Sequence, residues 1–191
     1  RPGQVMTMHD WDEDPESAGW TLLFHPDLIR KSNLGKSIDD YSFFSYDVTE
    51  ALHLSDKERL SIDEILHKIK EEYSQNIDKH SQKLIISNIE LILDYSTRYY
   101  DRQFYTRTNL NKDVVSRFES LLKEYYHSGK ALENGVPSVR YCGSELNMSS
   151  NYLSDLLKKE TGRTTQENIN IYIIDKAKTQ LLSSEESISQ I

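Results

Sequence analysis

The chain has 191 residues, enough for one or two domains with cores of their own. Apolar residues make up 37% and charged residues 28%, and no stretch approaches the run of about 18 apolar residues that a transmembrane helix needs. The formal net charge of −8 argues against DNA binding by the surface as a whole, since affinity for DNA depends on a locally basic patch.

Cys142 is the only cysteine, which rules out an intrachain disulfide and a Cys-based zinc site and suits a reducing cytoplasm. It falls at a core-facing position of a short helix and reads as a small buried hydrophobe rather than a catalytic thiol. No signal peptide opens the chain, which starts at Arg1 and stops at Ile191. The expectation is a cytoplasmic fragment with sequence missing on both sides.

Residues 1–54 differ from the rest. Arg1-Pro2-Gly3 and the acidic stretch Asp10 to Glu16 are turn-rich. Gly19 to Phe24 is a short apolar, aromatic run that reads as a strand closed by His25-Pro26, and Asp27 to Arg30 as a single helical turn. Tyr41 to Tyr46 alternates weakly and reads as a second strand. Two strands do not make a stable sheet, so partner strands are expected in sequence not present here.

From Ser55 the pattern turns helical. Ser55-Asp56-Lys57-Glu58 is a capping box, repeated by Ser61-Ile62-Asp63-Glu64. Ile62, Ile65, Leu66, Ile69 and Tyr73 then share one helical face. A second helix is expected over about Ser81 to Arg102. Its apolar set (Leu84, Ile85, Ile86, Ile89, Leu91, Ile92 and Leu93) is too broad for one neighbour, so the helix is either central in its domain or buried at a subunit interface. A third helix, capped near Asn111, carries Val114, Val115, Phe118, Leu121, Leu122 and Tyr125 and stops near Ser128-Gly129. Glu133-Asn134-Gly135 marks a turn and a domain boundary.

Ser138 to Gly162 reads as two short amphipathic helices joined by a tight turn. Ser138 caps the first, with Val139, Cys142 and Leu146 facing inward. Asn147 sits at the turn, where a left-handed backbone is often needed and Asn accepts it better than most residues. Met148 fills the angle, Ser149 or Ser150 caps the second helix, and Leu153, Leu156 and Leu157 form its buried face. Asn151, Ser154, Asp155 and Lys158 are left outward near the end that enters a major groove in helix-turn-helix proteins. Asn151 suits adenine, Ser154 several base edges and Asp155 the cytosine amino group. Lys158, Lys159 and the hydroxyls of Ser149 and Ser150 suit phosphate. An ordinary surface helix of a bundle fits the same pattern. From Val136 onward the charge is −1, so the other −7 lies in residues 1–135.

The stretch from Leu146 through Ser149, Ser150, Asn151, Tyr152 and Leu153 to Gly162 closely resembles the first helix-turn-helix of AraC/XylS-type transcriptional regulators. The likeness continues through Gln166 to Leu182, where Ala177 followed by Leu181-Leu182 is similar to a pattern of the family's connecting helix. Ser187 to Ile191 resembles the opening of a second helix-turn-helix. By position, the resemblance makes Asn151, Ser154 and Asp155 base-facing, with Tyr152 and Lys158 flanking them near the DNA backbone. Ile173 departs from the Arg that many members carry, and Asp155 is unusual at a base-facing site. The upstream half resembles the family less specifically.

The resemblance implies a mainly α chain with the remnant of a cupin-like β-barrel. Residues 1–54 would end the barrel sensor, 55–104 form a helical dimerisation segment, 105–135 a linker helix and 136–191 the DNA-binding domain. It also implies double-stranded DNA, a homodimer through residues 55–104 and an unknown small-molecule effector as partners, acting on DNA affinity through linkage. No catalytic or cofactor motif accompanies these features: Gly-x-Ser-x-Gly, P-loop and dinucleotide patterns are absent. His9, His25, His53, His67, His80 and His127 lack metal-ligand spacing, and Asp10, Asp12, Glu13 and Asp14 lack an EF-hand pattern. The expectation is a regulator, not an enzyme, with no metal and no cofactor. The alternatives are a helical protein-interaction module without DNA binding and, more remotely, a cupin-type enzyme.

Overall fold

The computed structural model describes Pro2, residues 19–75 and residues 77–183. The stretch Asp10 to Glu16, His9 and the expected second helix-turn-helix at Ser187 to Ile191 lie outside these residues. The described residues form eight α-helices: α1 (Asn33–Ser37), α2 (Asp56–Ser74), α3 (Ser81–Thr106), α4 (Thr108–His127), α5 (Lys130–Asn134), α6 (Val139–Leu146), α7 (Ser150–Thr161) and α8 (Thr165–Ser183). No helix among them is long and apolar enough to cross a membrane.

The mainly helical character expected of the chain is present, but no strand and no barrel remnant occurs among the described residues. Gly19 to Phe24 has no regular structure, and Ser42–Ser45 is a 3-10 turn. The reason lies in partners. Without neighbouring strands to take its backbone groups, an isolated aromatic run gains more by clustering its rings. Tyr41, Phe43 and Phe44 do this: Phe43 lies 5.6 Å from Tyr41 and 5.0 Å from Phe44, centroid to centroid.

The chain divides into two compact units. The first comprises Arg1–Phe44 and His53–Tyr99, the second Ser45–Leu52 and Tyr100–Ile191. In the first, Ile29, Leu34, Ile69 and Ile89 are buried together, with Leu28, Ile38, Tyr41 and the half-buried face of α3 packed around them. The Ser55–Glu58 capping box starts α2: the Ser55 amide donates to Glu58 Oε2 at 2.8 Å and the Glu58 amide to Ser55 Oγ at 3.4 Å. The second box at Ser61 starts nothing, because the helix is already running there and the Ser61 hydroxyl turns back to donate to the Lys57 carbonyl. The buried stripe of α2 ends at Ile69, one turn short of Tyr73, which is 73% exposed. Tyr41 donates to Asp94 at 2.8 Å, and burial together with that carboxylate pushes its phenol well above the ordinary range.

In the second unit, Val114, Phe118, Leu122 and Tyr125 recur at helical spacing on α4 and are buried. They face α6 and α7, whose Cys142, Leu146, Leu153, Leu156 and Leu157 complete the core, and α8 adds Ile169. Asn111 does not cap α4. Arg107 precedes the helix, and Asn111, buried in its first turns, donates instead to the Phe104 carbonyl at 2.6 Å and to Glu160 Oε1 at 3.0 Å. A capping box also opens α8, with Glu167 Oε2 accepting from the Thr164 amide and hydroxyl at 2.7 and 2.9 Å. Those bonds hold the Glu167 carboxyl below its ordinary value.

Candidate nucleic-acid interface

The helix-turn-helix is assembled from short-range signals. Ser138 Oγ accepts from the Tyr141 amide and caps α6. At the far end the Asn147 amide reaches the Ser144 carbonyl and the Met148 amide reaches the Gly143 carbonyl at 2.9 Å. Such a paired closure requires a left-handed residue at the helix end, and Asn147 adopts it with φ 57° and ψ 46°. Two residues later Ser149 returns to extended backbone, its Oγ accepts from the Tyr152 amide at 3.2 Å, and α7 begins. Gly162, at φ 76°, ends α7.

Gly143 allows the two helices to meet at this angle. A Cβ placed there would lie 2.7 Å from the Met148 carbonyl oxygen, a backbone atom that cannot move aside cheaply. A glycine inside an otherwise helical pattern is a sign of close backbone approach, and Gly143 is such a glycine.

The side chains of α7 then sort by face. Leu153, Leu156 and Leu157 are fully buried. Asn151, Lys158 and Lys159 are exposed, and Ser149, Ser150, Ser154 and Asp155 are half-buried. Lys159 stands 3.5 Å from Asp101 in an exposed ion pair, so part of its charge is already answered within the chain. Tyr152 departs from its expected place beside the DNA backbone. It is buried against Phe104, at 5.0 Å, and meets Tyr46 edge-on at 5.1 Å. Its position one residue after Asn151 puts it about 100° around the helix, on the side that faces the core. Burial raises its phenol, and the nearby Arg107 guanidinium partly offsets this.

Two polar side chains from far upstream in the chain, Glu50 and Tyr46, complete the site. Glu50 is buried, and its Oε1 accepts from the Ser149 amide at 2.7 Å while Oε2 accepts from the Ser149 hydroxyl at 2.5 Å. Tyr46 donates to Asp155 Oδ2 at 2.6 Å. Asp47 to Glu50 has the spacing of a capping box, but nothing local points either residue to α7, because the partners are about a hundred residues away in the chain. Cys142 is buried, and burial pushes its thiol up to about 11. Among the described residues no group of three or more His, Cys, Asp or Glu side chains is arranged to hold a metal ion.

Set beside protein-family models, curated proteins and solved structures, the chain finds no match.

Proposed function

We propose that the chain is a sequence-specific regulator of transcription that binds double-stranded DNA through α6 and α7, in the manner of AraC-type proteins. The observation that carries this reading is the joint itself. A glycine-closed, asparagine-turned pair of short helices holds an exposed Asn151 and Lys158 on the outer side of α7, with three leucines fixed behind them. In this reading Asn151 and Ser154 meet base edges and Lys158 meets phosphate. The chain acts as a homodimer through residues 55–104, and an unidentified small-molecule effector shifts its affinity for paired half-sites. Leu84 and Leu91, one heptad apart on α3, are 48% and 41% exposed and supply an apolar face for such pairing.

The test is selection of duplexes from a random pool by the full chain, followed by footprinting with Asn151→Ala and Ser154→Ala. Both substitutions are expected to change base preference; retention of affinity and preference in both sinks the docking. The near-neutral charge from Val136 onward and the carboxylate at Ser149 favour a second reading, a helical protein-interaction module. Under that reading no duplex shifts the chain's elution in size exclusion.

A further inference from the structure

Residues Ser45–Leu52 belong to the second unit although they lie far upstream of it in sequence. They form a strap that includes one 3-10 turn, Val48–Glu50, and carries Asp47 and Glu50 with no basic residue. Four observations fix it to the start of α7 and to the end of α3. The Glu50 carboxylate takes both the amide and the hydroxyl of Ser149. Tyr46 takes Asp155. The Tyr46 ring stands edge-on to Tyr152 and to Tyr100, each at 5.1 Å. Gln103, itself buried, donates to the Ala51 carbonyl at 3.3 Å.

The Glu50 carboxylate therefore occupies the end of α7 at which backbone and hydroxyl donors ordinarily meet phosphate, and where the helix dipole favours an anion. Its third donor is the Asp47 amide at 2.7 Å, so the anion is well satisfied where it is. We infer that the strap is an internal stand-in for a DNA phosphate that holds α7 in a low-affinity state. This rests on the DNA-reading proposal and adds its regulation. Opening the strap frees the Ser149 donors, removes a negative charge from the groove-entering end and releases Asp155 from Tyr46. Both ends of the strap continue into the first unit, through Phe44 and His53, so the strap is tied covalently to that unit and by hydrogen bonds to Ser149 and Asp155.

The experiment compares the full chain with Glu50→Gln and with Tyr46→Phe, each carried through selection from a random duplex pool and then titrated by fluorescence anisotropy against the enriched duplex. Circular dichroism checks the fold of each. Glu50→Gln is expected to bind about tenfold more tightly, the scale of one charged hydrogen bond exchanged. Its dependence of log affinity on log salt should steepen by about one phosphate contact. Tyr46→Phe keeps the ring packing and should gain a smaller factor of about three; it carries the test if Glu50→Gln does not fold. Equal or weaker binding by the folded variants overturns the strap while leaving DNA reading intact. If neither wild type nor variants enrich any duplex, DNA reading itself fails and the strap falls with it.

Discussion

The side-chain amide of Asn111 spends one hydrogen on the carbonyl of Phe104, at 2.6 Å, in the last turn of α3. Carbonyls at a helix end have no partner within the helix, and Asn111 supplies one. Its other hydrogen goes to Glu160 on α7. One buried residue of α4 therefore joins α7 and the end of α3 that lies in the second unit, and removing it strands a carbonyl and a carboxylate. Asn111→Ala is expected to cost about 1–3 kcal/mol in urea unfolding. Asn111→Asp should cost more, because it points an acceptor at two acceptors. If aspartate is tolerated as well as alanine, the bridge contributes nothing.

Gly143→Ala tests the joint between α6 and α7. In an unconstrained helix the change stabilises by about 1 kcal/mol. Here the added methyl meets the Met148 carbonyl oxygen at 2.7 Å, so the sign should reverse, with a loss of about 1–3 kcal/mol read from thermal melts. A melting temperature that rises would show that the joint yields.

How much of this was legible beforehand depends on range. The Ser55–Glu58 box, the cap at Ser138, the left-handed Asn147 and the buried leucines of α7 rest on residues within a few positions of one another, and they were readable from spacing. Tyr152 was misplaced because its partners, Phe104 and Tyr46, come from elsewhere in the chain. Glu50 and Tyr46 were invisible for the same reason: nothing near a lone glutamate in a polar loop says that it will meet Ser149. The strand expectation at Tyr41 to Tyr46 failed because alternation describes a strand only when a sheet is there to receive it.

Cys142 gives a pH prediction. Burial lifts its thiol from an ordinary 9.0 to about 11, so the fold keeps a proton that the unfolded chain releases earlier. This contribution to stability is fully present below about pH 9 and is lost as pH rises toward 11. Native protein at pH 8 should therefore react slowly with iodoacetamide and unfolded protein quickly. Comparable rates in the two states would contradict the burial.

Lys158→Ala and Lys159→Ala separate phosphate contact from surface charge. Lys158 is exposed, and if α7 binds DNA as proposed, its loss should weaken binding to all duplexes alike, lowering the salt slope by about one. Lys159 already shares its charge with Asp101 and should matter less. An equal effect from both, measured by anisotropy across a salt series, would place α7 in a different register.

The angle between α6 and α7 is set where main chain meets main chain, at Gly143 and Met148, and not by any outward side chain. Frame and text are thus separable. If α7 reads DNA as proposed, substitutions at Asn151, Ser154 or Asp155 would rewrite which letters are preferred without bending the elbow that presents them, so new specificities would be accessible by single changes on an unaltered scaffold.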